Sequence, residues 1–272
     1  MGGRAANGLP PGGVAILGVP FDGNSSFLPG SAEAPAKIIE ALNSSSSNLC
    51  CESGLDLGAD DRWASVGDVW VVSDTFLEDV ETAAASLLAT SLRVLALGGD
   101  HSVSYPLLRA HAGVHQSLTV VHLDAHPDLY DELDGNRLSH ACPFARVMEE
   151  KLIGRLVQIG IRTATPHQRA QAERFGVETF EMRDWTDETA LPDGPCYVSL
   201  DLDVLDPAFA PGVSHHEPGG MSVRQVLDII QRVPGPIVGS DIVEYNPRRD
   251  PSGVTAMVAA KCLKELLARM VG

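Results

Sequence analysis

A chain of 272 residues with 44% hydrophobic composition can bury one large core, and α/β folds of this size often form a single domain. The formal net charge of −16 argues against nucleic acid and anionic membrane surfaces as partners, and it suits a small cationic substrate. No apolar run reaches the roughly 18 residues that indicate a membrane span. The five cysteines are odd in number and lack C-x-x-C spacing, so we expect reduced thiols and a cytoplasmic protein.

Apolar runs and segments of helical periodicity alternate along the chain. We predict a flexible N-terminal tail over residues 1–13, which are rich in Gly and Pro, and a single domain over 14–272. The predicted strands are 14–19, 69–72, 94–97, 118–122, 156–159, 177–180, 197–200 and 237–243. The predicted helices are 33–42, 76–92, 104–111, 140–151, 166–175, 223–231 after a Ser222 cap, and 255–270. Residues 43–61 are polar and Ser-rich, which predicts a loop or insertion. Strands separated by helices indicate a parallel sheet covered on both faces.

Six potential metal ligands follow three of these strands: His101, Asp124, His126, Asp128, Asp201 and Asp203. Side chains alternate along a strand, so the three after 118–122 are expected to point one way, as are Asp201 and Asp203. Carboxylate and imidazole without thiolate suit Mn²⁺, Mg²⁺ or Fe²⁺ better than structural zinc. More ligands than one tetrahedral site can use predict a two-metal hydrolytic site.

Each motif alone also has a simpler interpretation. An Asp-x-Asp pair after a strand is usually a turn or a helix cap, and Asp100-His101-Ser102 is compatible with the start of a helix. All three motifs nevertheless follow apolar strands, and open α/β sheets place their sites at the carboxyl ends of strands. Together they favour the metal site.

The motifs Gly-Gly-Asp-His, Asp-Ala-His-x-Asp and Ser-x-Asp-x-Asp-x-x-Asp-Pro (residues 199–207) resemble three sequence blocks of the ureohydrolases, the family of arginases and agmatinases. The likeness runs from residues 18–20 to the last helix. It is closest to plant-type arginases over 199–220 and 241–260. It implies a three-layer α/β/α fold with a central, mainly parallel sheet, two Mn²⁺ ions per subunit, and a homo-oligomer that is a trimer or a hexamer.

The resemblance also implies a ligand set. One metal would take His101, Asp124, Asp128 and Asp201, and the other would take His126, Asp124, Asp201 and Asp203, with Asp124 and Asp201 bridging. A hydroxide between the metals would attack the guanidino carbon, and Asp128 would orient it. All six ligands are present, which favours an active enzyme over a degenerate relative.

Two further residues match catalytic positions of the family. His140 corresponds to the proton-shuttle histidine, and Glu244 to the carboxylate that pairs with the guanidinium group. Without the resemblance, His140 would be an ordinary residue of a first helical turn and Glu244 an exposed strand-end acid. We predict His215 and His216 as loop residues that line the substrate mouth. His122 is predicted on the face opposite Asp124, as a packing histidine.

The substrate depends on what contacts the tail beyond the guanidino group. In the 129–139 loop, Asn136, Arg137 and Ser139 could donate to an α-carboxylate, and we select Asn136 and Ser139 as substrate-binding residues. The acids of the same loop, Asp131, Glu132 and Asp134, would instead suit a cationic tail. The resemblance favours cleavage of L-arginine to urea and ornithine, with agmatine or another guanidino compound as the alternative. A zinc amide hydrolase of the deacetylase type and a non-catalytic metal-binding protein are less favoured.

Overall fold

The computed structural model describes residues 8–186 and 188–272. In these ranges eight strands form one sheet: β1 (Val14–Val19), β2 (Trp63–Asp68), β3 (Arg93–Gly98), β4 (Thr119–Leu123), β5 (Arg155–Ile161), β6 (Glu178–Glu181), β7 (Cys196–Asp201) and β8 (Ile237–Val243). The spatial order is β2-β1-β3-β8-β7-β4-β5-β6, and each hydrogen-bonded pair is parallel. The sheet therefore presents the carboxyl ends of all its strands along one edge.

The described ranges contain seven α-helices: α1 (Ala34–Leu42), α2 (Phe76–Leu88), α3 (Ser104–Ala112), α4 (Pro143–Glu149), α5 (Pro166–Phe175), α6 (Val223–Arg232) and α7 (Val254–Val271). The first six connect strands, and α7 follows β8. One face of the sheet packs on α1, α6 and α7, and the other on α2, α3, α4 and α5. Alternate strand residues divide between the two layers, since Leu95 faces the first layer and Val94 and Ala96 face the second. The predicted three-layer α/β/α fold is confirmed.

Local sequence signals explain where several elements begin. Thr165 and Ser222 start α5 and α6 with capping boxes, in which the hydroxyl accepts the backbone N–H of Gln168 or Gln225 and the glutamine side chain accepts the N–H of the cap residue. The bounds predicted for α5 and β8 agree with the structure. α4 starts at Pro143, later than predicted, because proline is favoured in the first helical turn.

The strand predicted at 69–72 is wrong. The strand in this region is β2, and Val69 is the last residue that bonds to β1, through its N–H and the carbonyl of Gly18. Trp70 is 87% and Val72 48% exposed, while Val69 and Val71 pack against the core from outside the sheet, so this apolar run forms no strand. β2 itself contains serine and glycine and lies at an edge of the sheet, where the apolar alternation that marks a buried strand is weak.

The segments outside the regular elements are partly anchored. Residues 1–7 of the predicted tail lie outside the described residues, whereas the N–H of Gly12 donates to the carbonyl of Ser91. The Ser-rich loop between α1 and β2 buries Leu57, and Glu52 pairs with Arg224 and Lys261. No helix in the described part of the chain is both long and apolar enough to cross a membrane.

Candidate metal centre and active site

The site lies at the carboxyl ends of four neighbouring strands in the middle of the sheet, β3, β8, β7 and β4. The same type of tight turn orients three of the aspartates there. The side chain of Asp100 accepts the N–H of Ser102 at 3.0 Å, and that of Asp124 accepts the N–H of His126 at 2.6 Å. Asp201 likewise accepts the N–H of Asp203 at 2.7 Å. An Asp that bonds its own backbone two residues on forms a tight turn, and each turn here directs the chain back over the strand end.

Three carboxylates converge on one imidazole nitrogen. The Nδ1 atom of His101 lies 3.2 Å from Asp124 Oδ2, 3.0 Å from Asp128 Oδ2 and 3.2 Å from Asp201 Oδ2. Burial lowers the pKa of His101, but these acids outweigh it and raise the pKa well above its ordinary value. Such a site attracts positive charge, which a proton on Nδ1 or a divalent cation can supply.

The other nitrogen of His101 fixes the tautomer that a metal needs. Ser199 Oγ donates to Asp241 Oδ1 at 2.7 Å, so it can accept the Nε2–H of His101, which is 3.0 Å away. With the proton on Nε2, the Nδ1 lone pair faces the three carboxylates, and Nδ1 is a buried atom with no well-aligned hydrogen bond. Metal-bound histidines commonly donate their second N–H in this way. The donor set therefore fits a divalent cation.

A second group of ligands adjoins the first through Asp124. His126 Nδ1 lies 2.9 Å from Asp203 Oδ2 and 3.4 Å from Asp124 Oδ1, while the other oxygen of Asp124 faces His101. Burial and the charge of Asp124 raise the pKa of Asp203 to about 6. Burial and the charges of Asp203 and Asp124 raise the pKa of Asp201 well above its usual range. Four buried carboxylates this close repel one another unless cations lie between them.

His122 takes a different place from the one predicted. Its Nε2 lies 2.7 Å from Asp124 Oδ2, and its Nδ1 lies 3.1 Å from the side-chain nitrogen of Gln158. The predicted opposite face was wrong, because residues two apart on a strand share a face. His122 is fully buried and holds the carboxylate of Asp124 from behind.

His140 and Glu244 form a buried pair beside the metal centre. His140 Nδ1 is 2.8 Å from Glu244 Oε1, which also accepts the backbone N–H of His101 at 2.8 Å. Burial lowers the pKa of His140, but Glu244 outweighs it and raises the pKa to about 9. His140 lies before the first residue of α4, so it is not a residue of the first helical turn, and Glu244 is only 4% exposed, so it is not an exposed strand-end acid.

Two of the acids have left-handed backbone conformations. Asp128 has φ 50° and Glu244 has φ 62°. Asp tolerates this region because its short side chain can bond locally, whereas a longer side chain is uncommon there. Backbone of this kind costs of order 1–3 kcal/mol per residue and persists only where the surroundings enforce it. Here it turns both carboxylates over the ends of their strands.

Four of the six candidate ligands and the buried pair line one cavity of about 190 Å³, whereas His101 and Asp124 lie buried behind them. Its lining residues are Ser26, His126, Asp128, Tyr130, Leu133, His140, Ala141, Thr163, Thr165, Gln168, Asp201, Asp203, His215 and Glu244. His215 packs 5.1 Å from His140, ring centre to ring centre, while His216 bonds the carbonyl of Pro211. The described lining does not include Asn136, whose side chain bonds Asn24, or Ser139, which is buried beneath the loop.

Sequence reasoning missed the residues behind the ligands. Asp241, on β8, is fully buried and accepts hydrogen bonds from Ser104, Tyr197 and Ser199. Arg162 donates to the backbone carbonyls of Asp203, Val204 and Leu205, which holds the turn that carries a ligand. The serine of Ser-x-Asp-x-Asp was the available signal for Ser199, since it lies on the same strand as Asp201.

An α/β sheet with buried carboxylates and imidazoles grouped for cations at its carboxyl edge defines a metal-dependent hydrolase. The "Arginase family" model matches residues 12–268, and the chain belongs to this family. "Arginase, mitochondrial" of Medicago truncatula is 46% identical over 282 residues, which cover 95% of this chain and 83% of the relative. "Agmatinase, mitochondrial" of Gallus gallus is 35% identical over 284 residues, with 95% and 81% covered. The solved structure "Arginase from Medicago truncatula" has TM-score 0.90 at 43% identity, covering 99% of this chain and 89% of the other.

These relatives correct the predicted cytoplasmic location. The chain also matches two arginases of Arabidopsis thaliana. The names of these proteins and of the Medicago truncatula arginase give a mitochondrial or chloroplastic location. The cytoplasmic prediction is therefore wrong. It rested on the cysteine pattern, and reduced thiols do not distinguish the cytosol from the interior of an organelle.

Proposed function

We propose that this chain hydrolyses the guanidino group of L-arginine to urea and ornithine with two Mn²⁺ ions bound at the strand ends. The observation that carries the proposal is the shared cavity: the buried His140–Glu244 pair and four of the six proposed ligands line it, namely His126, Asp128, Asp201 and Asp203. The other two, His101 and Asp124, lie against these four ligands. The higher identity to a plant arginase than to an agmatinase supports arginine as the substrate.

The ligand set supports a two-ion centre. Asp124 lies against both His101 and His126. As predicted from the resemblance, His101 and Asp128 would hold one ion and His126 and Asp203 the other, with Asp124 and Asp201 contributing to both. Hard carboxylate oxygens with imidazole and no thiolate match Mn²⁺. When bound, two divalent cations lower the pKa of a water molecule and supply a strong nucleophile at neutral pH.

The protein groups would divide the remaining chemistry. Asp128, itself one of the proposed ligands, contacts His101 and lines the cavity, where it would also orient the attacking water. Both contacts described for Glu244 use Oε1, so we assign its Oε2 to the guanidinium group of the substrate. His140, charged at neutral pH through Glu244, would protonate the leaving amine.

One contact in the 129–139 loop favours arginine over agmatine. Asp131 pairs with Arg137 at 2.7 Å and with Arg146 at 3.1 Å, so its charge is already compensated. This leaves less negative charge to attract a cationic tail. Asn136 and Ser139 remain our proposed contacts to the α-carboxylate, through movement of the loop that contributes Tyr130 and Leu133 to the cavity. The homo-oligomer, a trimer or a hexamer, also remains a proposal.

The test is urea release by Mn²⁺-loaded protein from L-arginine, agmatine and 4-guanidinobutyrate in parallel, with metal content measured by mass spectrometry. We expect two Mn²⁺ ions per chain and the highest kcat/KM with arginine. Preference for agmatine would transfer the proposal to agmatinase activity. No urea from any substrate, with metal bound, would refute ureohydrolase activity and leave an amide hydrolase or a binding protein.

A further inference from the structure

A serine hydroxyl covers the second nitrogen of His140. Ser26 Oγ lies 2.8 Å from His140 Nε2, while Nδ1 of the same ring is bound to Glu244. Ser26 is exposed and lines the cavity, whereas His140 is 8% exposed. The hydroxyl therefore stands between the buried imidazole and the space where a substrate would lie.

The loop that carries Ser26 is fixed in place by the residue Asn24. The backbone N–H of Asn24 donates to Asp100 Oδ2 at 2.9 Å, and its carbonyl accepts the N–H of His140 at 3.1 Å. Its side chain bonds Ser102 at 3.2 Å and Asn136 at 3.1 Å. These bonds tie the loop to the His101 turn and to His140 itself, so the Ser26–His140 contact is set by the surrounding backbone.

The hydrogen-bond directions suit a charged imidazole. In the protonated ring both nitrogens are donors, so Nδ1–H donates to Glu244 and Nε2–H to the Ser26 oxygen. The groups that face the ring are Glu244, Asp100, Asp128 and His215. Burial disfavours the charge, but the three carboxylates outweigh it and raise the pKa of His140 to about 9. The hydroxyl hydrogen of Ser26 is then free to be donated into the cavity.

Building on the proposed function, we propose that Ser26 positions His140 and relays its proton to the leaving amine. The His140 Nε2–H bond breaks as a new O–H bond forms on Ser26. The original O–H of Ser26 breaks as an N–H bond forms on the departing nitrogen, which takes the electron pair of the cleaved C–N bond. His140 becomes neutral, and solvent restores its proton through the same exposed hydroxyl.

The test compares Ser26→Ala and Ser26→Thr with Ser25→Ala in Mn²⁺-loaded protein of equal metal content. Ser25 is a matched control, since its hydroxyl lies 3.4 Å from Asp100 Oδ2, an oxygen that also accepts the N–H of Asn24. We expect Ser26→Ala to lower kcat with arginine about 10- to 100-fold, part of the usual contribution of general acid–base catalysis, with KM changed little. Loss of the bond that favours the charged ring should also move the alkaline limb of the kcat profile to lower pH. Ser26→Thr, which keeps the hydroxyl, should restore both.

Two results would overturn the relay alone. One is a Ser26→Ala protein with the kcat and the alkaline limb of the wild type. The other is an equal loss in Ser26→Ala and Ser26→Thr with the alkaline limb unmoved, which would make Ser26 a packing residue of its loop. A wild-type protein that releases no urea from any guanidino substrate would refute the proposed function, and the relay with it.

Discussion

His111 should make the fold sensitive to acid at a place remote from the metal centre. It is fully buried on α3, against Gly239 and Tyr197 near the starts of β8 and β7, whereas the ligands follow the strand ends. Its Nδ1 lies 2.8 Å from the carbonyl of Leu107, so that nitrogen carries the proton. Nε2 is buried and has no hydrogen-bond partner. A proton there would be a charged donor in an apolar core, and burial lowers the pKa of His111 to about 4.

The size of the effect follows from the difference in pKa between the two states. The unfolded chain binds a proton at His111 near pH 6.5, the folded chain only near pH 4. As pH falls, the unfolded state is therefore protonated first, and stability is lost between these two values. At pH 5 the loss amounts to about 2 kcal/mol, from 1.36 kcal/mol per pH unit.

The assay is urea unfolding of the wild type and His111→Asn at pH 7.5 and pH 5.0. Asparagine keeps an N–H donor near Leu107 and leaves a cavity whose cost is independent of pH. The titration of the metal-site acids is common to both proteins and cancels in the comparison. From pH 7.5 to pH 5.0, we expect the free energy of unfolding to fall by about 2 kcal/mol more in the wild type than in the variant. Parallel changes in both proteins would refute the role of His111.

Three predictions concern the site itself. Asp128→Asn should lower kcat by at least about 100-fold with metal retained. Asparagine tolerates the φ of 50° at this position, but it is a poor hydrogen-bond acceptor for the attacking water. Wild-type turnover would contradict the role proposed for Asp128. Glu244→Gln should raise KM for arginine about 10- to 100-fold, the worth of one charged hydrogen bond; an unchanged KM would place the guanidinium elsewhere. Chelation by EDTA should lower the thermal midpoint of unfolding, because the carboxylates around His101 then repel one another. Added Mn²⁺ should restore the midpoint. A midpoint insensitive to metal would contradict a cation at this cluster.

The six proposed ligands could be singled out from the sequence because they stand in three short motifs. Asp124, His126 and Asp128 directly follow a single apolar strand, so they lie at its carboxyl end. Because they stand in the turn after β4, the period of two along a strand does not extend to all three. The failure with His122 came from applying that same rule wrongly. Ser26 gave no comparable signal, since 114 positions separate it from His140 and a hydroxyl in a Gly- and Ser-containing loop looks like any turn residue.

The fold class could be predicted for a similar reason. Alternating apolar strands and helices specify parallel βαβ units, and buried strands such as β8 stand out by composition. β2 does not stand out in this way, because an edge strand does not need apolar residues on both faces. The apolar run at 69–72, which contains the exposed Trp70, has the strand-like composition instead. Asp241 was equally hidden, since only the assembled sheet brings it beside Ser199.

The central place of the ligand-bearing strands has a consequence for how the protein opens. β3, β8, β7 and β4 each have a strand on both sides, so their backbone amides exchange with solvent only when the sheet as a whole comes apart. The loop with Ser26 and the 129–139 loop lie outside the sheet and are joined to it and to each other by the few hydrogen bonds of Asn24, so they should open at lower free energy. Hydrogen exchange should then be slow in the strands that lead to the proposed metal ligands and fast in the loops that carry Ser26 and residues 129–139. In mild denaturant we therefore expect the proposed turnover to fail before bound metal is released.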